Sequence, residues 1–305
     1  MLILDHIAGL VKFQVRYGGV LKIFVSGASG FLGKHLVDKL LQESEHEITC
    51  LSRVEMPHNG KIKWIRGDLN NTEFLDSLKL SEYQKVFHLA WEGLPDRSEA
   101  ISRKNFNLST SFIKRFAKHD KLEVNIIGSC LEYGELTGVV KDTDHPNGKN
   151  EFALAKINLH EFVKSLGIQY RWFRPFYIYG RGQSVNSLIP TLISSLKSNL
   201  PTQIKSMNNS HDFIAVEDVV NAILMTSETK NTFGAFDIGT GVVTPVGAIV
   251  DLFHKIFKVD SHIHYKVSSG ITTKSDRLRK LVKWSPEFIG IEGIRDYFTD
   301  LDFKA

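Results

Sequence analysis

The sequence predicts an α/β fold: a doubly wound parallel sheet with a smaller, interleaved α/β lobe toward the C-terminus. Three observations lead there. From Leu21 onward, short apolar or β-branched runs alternate with amphipathic stretches of helix length, LKIFVS then FLGKHLVDKLLQ then EITCLS, as right-handed βαβ units require. The middle runs VFHLA and VNIIG are almost wholly apolar, as strands buried on both faces must be. A glycine-punctuated turn stands at the first strand-to-helix junction, where such a sheet opens its ligand crevice.

Taken in order, LKIFVS is the first strand, EITCLS the second, KIKWIRG the third, KVFHLA the fourth and VNIIGS the fifth, with a long helix near 99–118 between the last two. A helix near 150–165 precedes Tyr170-Arg171-Trp172-Phe173, the sixth strand. Pro175, Gly180, Gly182, Pro190 and Pro201 then punctuate the chain, and VEDVVNAILMTS and GAFDIGT return to clean helix and strand. The predicted organisation is an extension over 1–20, a nucleotide-binding domain over 21–174 with returning segments near 211–240, and a second lobe mainly over 175–305. The extension has a short apolar stretch, contains Asp5 and lacks a small-residue cleavage site, so it does not read as a signal peptide.

Composition narrows the function classes. The 305 residues are 42% hydrophobic and 24% charged, enough for a large core in a soluble protein. The net charge of +4 comes from 38 basic and 34 acidic residues. The basic clusters alternate with apolar residues as exposed helix faces do and form no stripe suited to nucleic acid. Two cysteines, Cys50 and Cys130, are too few for a disulfide framework and wrongly spaced for zinc, which predicts a reducing, cytoplasmic setting. His262 and His264 share a strand face with no third ligand nearby, so no metal is expected. No apolar run reaches the roughly 20 residues of a membrane span.

In SGASGFLGKHL, Gly27, Gly30 and Gly33 are spaced for a tight turn, close approach to a diphosphate and close helix packing, with Ser29, Phe31 and Leu32 among them. This is the Rossmann-like phosphate turn of a dinucleotide site. An acidic residue at the end of the second strand would hold the ribose hydroxyls of NAD. Ser52 and Arg53 stand there instead and suit a 2′-phosphate, predicting NADP rather than NAD; the alternative has Arg53 facing solvent and Glu55 selecting the cofactor. Asp68 and Leu69, after the third strand, meet the adenine or else begin a helix. Leu89, Ala90 and Trp91 end the fourth strand, beyond a His88 that reads as a packing histidine. Ser129, at the end of the fifth, can donate to a substrate oxygen. In EFALAK, Lys156 follows Phe152 by four residues and shares its helix face.

These pieces, with Asn107 in NLSTS, Ser129 four residues before Tyr133-Gly134, RPFYIYGRGQ at 174–183 and HDFIAVEDV at 211–219, resemble the extended short-chain dehydrogenase/reductase family, in the epimerase/dehydratase branch that modifies nucleotide sugars. They run in family order from Leu21 to about Phe298. The resemblance implies a Ser, Tyr and Lys acting together: the phenol exchanges a proton with the sugar oxygen while hydride moves, and the Lys holds the nicotinamide ribose. Ser129 and Lys156 match two of these positions. The Tyr position is Phe152. Phenylalanine keeps the ring and deletes the proton-exchanging group, worth typically about 10²- to 10⁴-fold in rate. The explanations are a deliberately inactivated form, a natural non-catalytic binder, or another donor such as Ser129, a water or Tyr177.

Dehydratases of this kind carry an Asp-Glu pair where this chain has Cys130 and Leu131, which argues against dehydration. Arg53 and a short second lobe argue mildly against a 4-epimerase with tightly held NAD. The expectation is an NADP-dependent reductase of a nucleotide-linked 4-keto-6-deoxy sugar, with the 4-epimerase and a non-catalytic NADP-binding protein as alternatives. By resemblance, Pro175, Tyr177 and Ile178 line the nicotinamide, Trp91, Ser129, Cys130, Leu131, Phe152 and Tyr177 face the sugar, Arg181, Asn186 and His211 hold the nucleotide diphosphate, and two copies pair as a homodimer.

Overall fold

The computed structural model describes residues 19–56, 60, 62–119, 121–141, 144–201, 204, 206–260 and 263–300. Residues 1–18 of the extension, and His262, lie outside the described residues.

Seven parallel strands form the central sheet: β1 (Lys22–Ser26), β2 (Glu47–Ser52), β3 (Ile62–Arg66), β4 (Lys85–His88), β5 (Glu123–Ile127), β7 (Tyr170–Pro175) and β11 (Gly234–Ile238). Their spatial order is β11-β7-β5-β4-β1-β2-β3, so the strand direction of winding reverses beside β1, where ligands bind in such sheets. The two-residue β6 (Gly138–Val139) lies outside this sheet.

Alternation along the strands builds two cores. Ile23 and Val25 of β1 join one cluster with Leu36, Phe173, Val219 and Phe236. Phe24, between them, joins the other with Phe112, Val124, Leu159 and Trp172, because successive side chains point to opposite faces. Helix α1 (Phe31–Glu43) packs against α6 (Val216–Glu228) on the first side, and α3 (Glu99–Lys114) against α4 (Glu151–Ser165) on the second. The helix expected over 99–118 is α-helical to Lys114 and finishes as a 3₁₀ turn, Arg115–Lys118, a tightening common at helix ends.

The second lobe gathers β8 (Tyr177–Tyr179) beside β10 (Phe213–Ala215), with α5 (Leu188–Lys197), α7 (Val246–Ile256) and α9 (Gly290–Asp300) closing a third core around Tyr179, Leu192, Ile249 and Phe298. Asp212, fully buried, joins its loops: the carboxylate accepts from Thr240 N at 2.9 Å, Thr240 Oγ1 at 2.6 Å, Gly241 N at 3.1 Å and Thr272 Oγ1 at 2.6 Å.

Candidate active site

Beyond the carboxyl ends of β1, β2 and β4 lies a groove of about 190 Å³ lined in part by Gly27, Ser29, Gly30, Arg53, Asp68 and Trp91. Two glycines there are sterically required. Gly27 has φ +76°, and a Cβ on it would stand 2.6 Å from the Ala90 nitrogen; one on Gly33 would stand 2.1 Å from the Gly27 carbonyl oxygen. Gly30 is the N-cap of α1 and supplies no side-chain acceptor, so the first-turn amides face the groove's end as a ready anion cradle. Phe31 turns edge-on to His35 at 5.7 Å and Leu32 packs on the core, so neither side chain is needed for that cradle. These residues fit a dinucleotide diphosphate.

Farther along, Ser52, Leu69 and Asp68 also line the groove. The two readings of Asp68 separate here. Asn71 is the N-cap of α2 (Thr72–Ser77), accepting from Phe74 N at 2.9 Å, while Asp68 is a groove wall. Its carboxylate accepts from the Asn70 amide at 2.9 Å, and that bond holds its pKa below the usual carboxylate range. Arg53 is not a free guanidinium: its Nη1 pairs with Glu92 Oε2 at 2.7 Å, and Lys104 pairs with the same carboxylate.

Asn107 is exposed and Asn105 lines the groove. On α3 the buried positions are Ser102, Asn105, Ser109, Phe112 and Ile113, a spacing that turns position 107 away. Asn105 donates to Glu92 O at 3.0 Å and to Ile101 O at 2.9 Å, and accepts from Glu92 N at 2.8 Å. The α3 asparagine that lines this groove is Asn105, two residues before Asn107. Helical periodicity in EAISRKNFNLSTSF carried that signal. Glu92, also missed, directly follows Trp91, four residues past the end of β4 at His88.

His88 is buried, with Nδ1 2.8 Å from Ser26 Oγ and Nε2 2.9 Å from Ser109 Oγ; burial, then the nearby Lys156 charge, push it down to about 3. It is a neutral packing histidine. Past Leu89 and Ala90, the Trp91 ring lies 3.6 Å from Lys156 Nζ and stands edge-on to Phe152 at 5.5 Å. Lys156 and Phe152 are 5% and 6% exposed on the inner face of α4, and Lys156 Nζ donates to Ile127 O at 2.7 Å. Burial pushes Lys156 down to about 7, opposed by the Glu132 charge. Arg97, absent from the sequence reading, holds its guanidinium 5.7 Å over the Phe152 ring.

Ser129 begins the turn after β5. Its Oγ accepts from Leu131 N at 3.2 Å, and its own amide donates to Glu132 Oε1 at 2.8 Å, a capping box. Glu132 is fully buried, bonded to Arg174 Nε at 2.6 Å and Trp172 Nε1 at 3.1 Å; Tyr133 Oη donates to Asp237 at 2.9 Å. This network pins the Ser129 turn to β7 and β11. Cys130 is 4% exposed and burial pushes its thiol up, with Asp212 adding to the rise. Leu131 is half-buried against a small cluster that includes Cys130, Tyr133 and Phe176.

Pro175 ends β7, Tyr177 stacks on His211 with ring centroids 3.8 Å apart, and Ile178 packs on the main core. Burial pushes the Tyr177 phenol up to about 12. Arg181 and Asn186 are exposed. Arg181 lines a second cavity, of about 480 Å³, with Ile189, Ile193, Lys197 and Phe298; that cavity shares no wall with the dinucleotide groove. Among the described residues no cluster of His, Cys, Asp and Glu suits a metal, and no helix is long and apolar enough to cross a membrane.

Comparison with known proteins agrees with this geometry. Residues 23–239 match the model of the NAD dependent epimerase/dehydratase family. A putative UDP-glucose 4-epimerase of Methanocaldococcus jannaschii is 26% identical over 296 residues, 90% of this chain and 96% of that protein. The CDP-abequose synthase of Salmonella typhimurium is 24% identical, over 92% and 98%. Among solved structures, the enzyme WbmG of Bordetella bronchiseptica with NAD and UDP superposes with TM-score 0.81 at 15% identity, over 92% of this chain and 94% of that one. UDP-glucuronic acid 4-epimerase of Bacillus cereus with NAD gives 0.78 at 24%, over 92% and 99%. Both share the fold.

Proposed function

The chain belongs to the NAD dependent epimerase/dehydratase family, and from that premise we propose that it is a nucleotide-sugar oxidoreductase of the 4-keto reductase kind, acting on a nucleotide-linked 4-keto-6-deoxyhexose. The observation that carries this reading is the turn after Ser129. Cys130 is buried with its thiol pushed up and Leu131 is apolar, so neither can move protons at the ring carbons beside the ketone, and redox at one carbon is the chemistry left.

A bound nicotinamide dinucleotide supplies or takes up the hydride. In this reading the Gly27–Gly33 turn seats its diphosphate, Asp68 and Leu69 wall its adenine side, Lys156 lies toward its nicotinamide ribose, and Ser129 donates to the sugar oxygen. The NADP preference expected from Arg53 loses support: that guanidinium is already engaged by Glu92, and the solved relatives carry NAD. NAD is the cofactor favoured here. Tyr177 and His211 form the aromatic wall on the sugar-nucleotide side. Pairing of two copies through α3 and α4, and a cytoplasmic location, belong to the same reading by resemblance.

The test is Phe152→Tyr. With NADH or NADPH and a panel of 4-keto nucleotide sugars, the variant is expected to oxidise cofactor at least about tenfold faster than the Phe152 form; no gain with any substrate sinks the reductase reading. The name of the archaeal relative favours a second reading, a 4-epimerase. Interconversion of C4 epimers without net cofactor oxidation selects it. Cofactor binding by calorimetry, with both forms inert, instead selects a non-catalytic binder.

A further inference from the structure

The second lobe holds a cavity that the reductase reading leaves unused. At about 480 Å³ it is larger than the dinucleotide groove, and it shares none of that groove's lining residues. Pockets of roughly 300–1,000 Å³ are of a size for small molecules. Helix α5 supplies Ile189, Ile193, Ser194 and Lys197 to its wall, positions that fall on one helix face. Leu192 and Leu196 of the same helix are buried in the third core instead. From α9 comes Phe298, stacked on buried Tyr179 with ring centroids 5.9 Å apart. Arg181 completes the wall, and its backbone is fixed from three helices. Its amide donates to Tyr297 Oη of α9 at 3.0 Å, and its carbonyl accepts from His35 Nε2 of α1 at 2.8 Å. Glu217 of α6 accepts from the same Tyr297 Oη at 3.0 Å and lies 3.6 Å from His35 Nδ1. With its backbone held, Arg181 keeps a guanidinium that no carboxylate pairs among the described residues.

We propose that this cavity is a second ligand site, separate from the reductase site, and that it takes a small organic phosphate. The guanidinium of Arg181 meets the phosphate through paired N–H donors, a geometry that favours phosphate over a single point charge. Lys197 adds a second basic side chain to the wall and Ser194 a hydroxyl. Ile189, Ile193 and Phe298 cover the organic part, as the apolar walls of small-molecule pockets do. The described residues that line the cavity include no carboxylate, imidazole or thiol, so the site binds its ligand and does no acid–base chemistry on it. Because Arg181 is tied to α1, the helix that begins at the phosphate turn, the ligand sits against an element that also holds the cofactor.

The test is calorimetric titration of the full chain with 1-naphthyl phosphate, with and without saturating NAD. One equivalent is expected to bind under both conditions with a Kd below about 1 mM, at least about tenfold tighter than inorganic phosphate, which lacks the apolar part. Arg181→Ala removes the guanidinium and is expected to weaken the probe at least about tenfold. Ser194→Trp, at an exposed position, fills the cavity and leaves both cations in place; it is expected to abolish probe binding with NAD affinity unchanged. Undiminished probe binding in Ser194→Trp places the probe elsewhere and overturns the proposal. So does equal affinity for inorganic phosphate, or no binding of the probe at about 10 mM. Loss of probe binding on saturation with NAD assigns the probe to the dinucleotide groove and overturns it as well. A chain that binds no NAD defeats the reductase reading instead, and the probe titration still decides the second site.

Discussion

One oxygen atom separates Phe152 from tyrosine, and the surroundings define what it would do. A phenol at that ring would stand beside Lys156 and under Arg97, two cations that favour the phenolate and so lower its pKa. The residue-level contrast between Asn105 and Asn107 is as sharp. Asn105→Ala orphans the Glu92 amide and two carbonyls, and is expected to cost about 1–3 kcal/mol of stability. Asn107→Ala, on the exposed face, is expected to stay within about 0.5 kcal/mol. Urea denaturation of the two variants decides the point. Gly33→Ala should be worse than either for cofactor binding, since its Cβ has no room against the Gly27 carbonyl. The glycines were readable from the sequence because their demand is local, whereas the fate of Arg53 depended on Glu92, thirty-nine residues away.

Among the elements, α4 was the most legible. Its buried positions, Phe152, Ala153, Ala155, Lys156, Leu159, His160 and Val163, follow the helical period, and the i, i+4 pair at its start is visible in six letters of sequence. The turn after β5 was half legible. Ser129 could be singled out, but Glu132 reads as an ordinary surface acid until Arg174 and Trp172 arrive from β7 to bury it. Asp212 is similar. Its position as a buried acceptor for Thr240, Gly241 and Thr272 makes it a structural joint between loops. Asp212→Ala is expected to destabilise the protein by at least about 2 kcal/mol, since charged hydrogen bonds contribute more than neutral ones, with dinucleotide binding retained once the protein is folded. Thermal melts with and without cofactor separate the two effects.

For the whole molecule, burial of lysines predicts a pH dependence of stability. Lys156 is lowered from 10.5 to about 7 and Lys85 from 10.5 to about 8 in the folded state. Between those values and 10.5 the unfolded chain binds more protons than the folded one, so unfolding free energy rises with pH through that window. Lys156→Met should flatten the part of the rise that starts near neutrality, leaving the part owed to Lys85; urea midpoints measured across the window test this, and an unchanged slope would assign Lys156 an ordinary pKa. The order of strands and helices, the phosphate turn and the shared face of Phe152 and Lys156 follow from periods of two and 3.6 residues and from glycine sterics, all of which act within one element and are therefore written in consecutive residues. Which charges neutralise each other was decided only in three dimensions. Arg53 meets Glu92, Glu132 meets Arg174, Tyr133 meets Asp237 and Trp91 covers Lys156, because electrostatic pairing depends on distance in space and these partners come from elements far apart in the sequence.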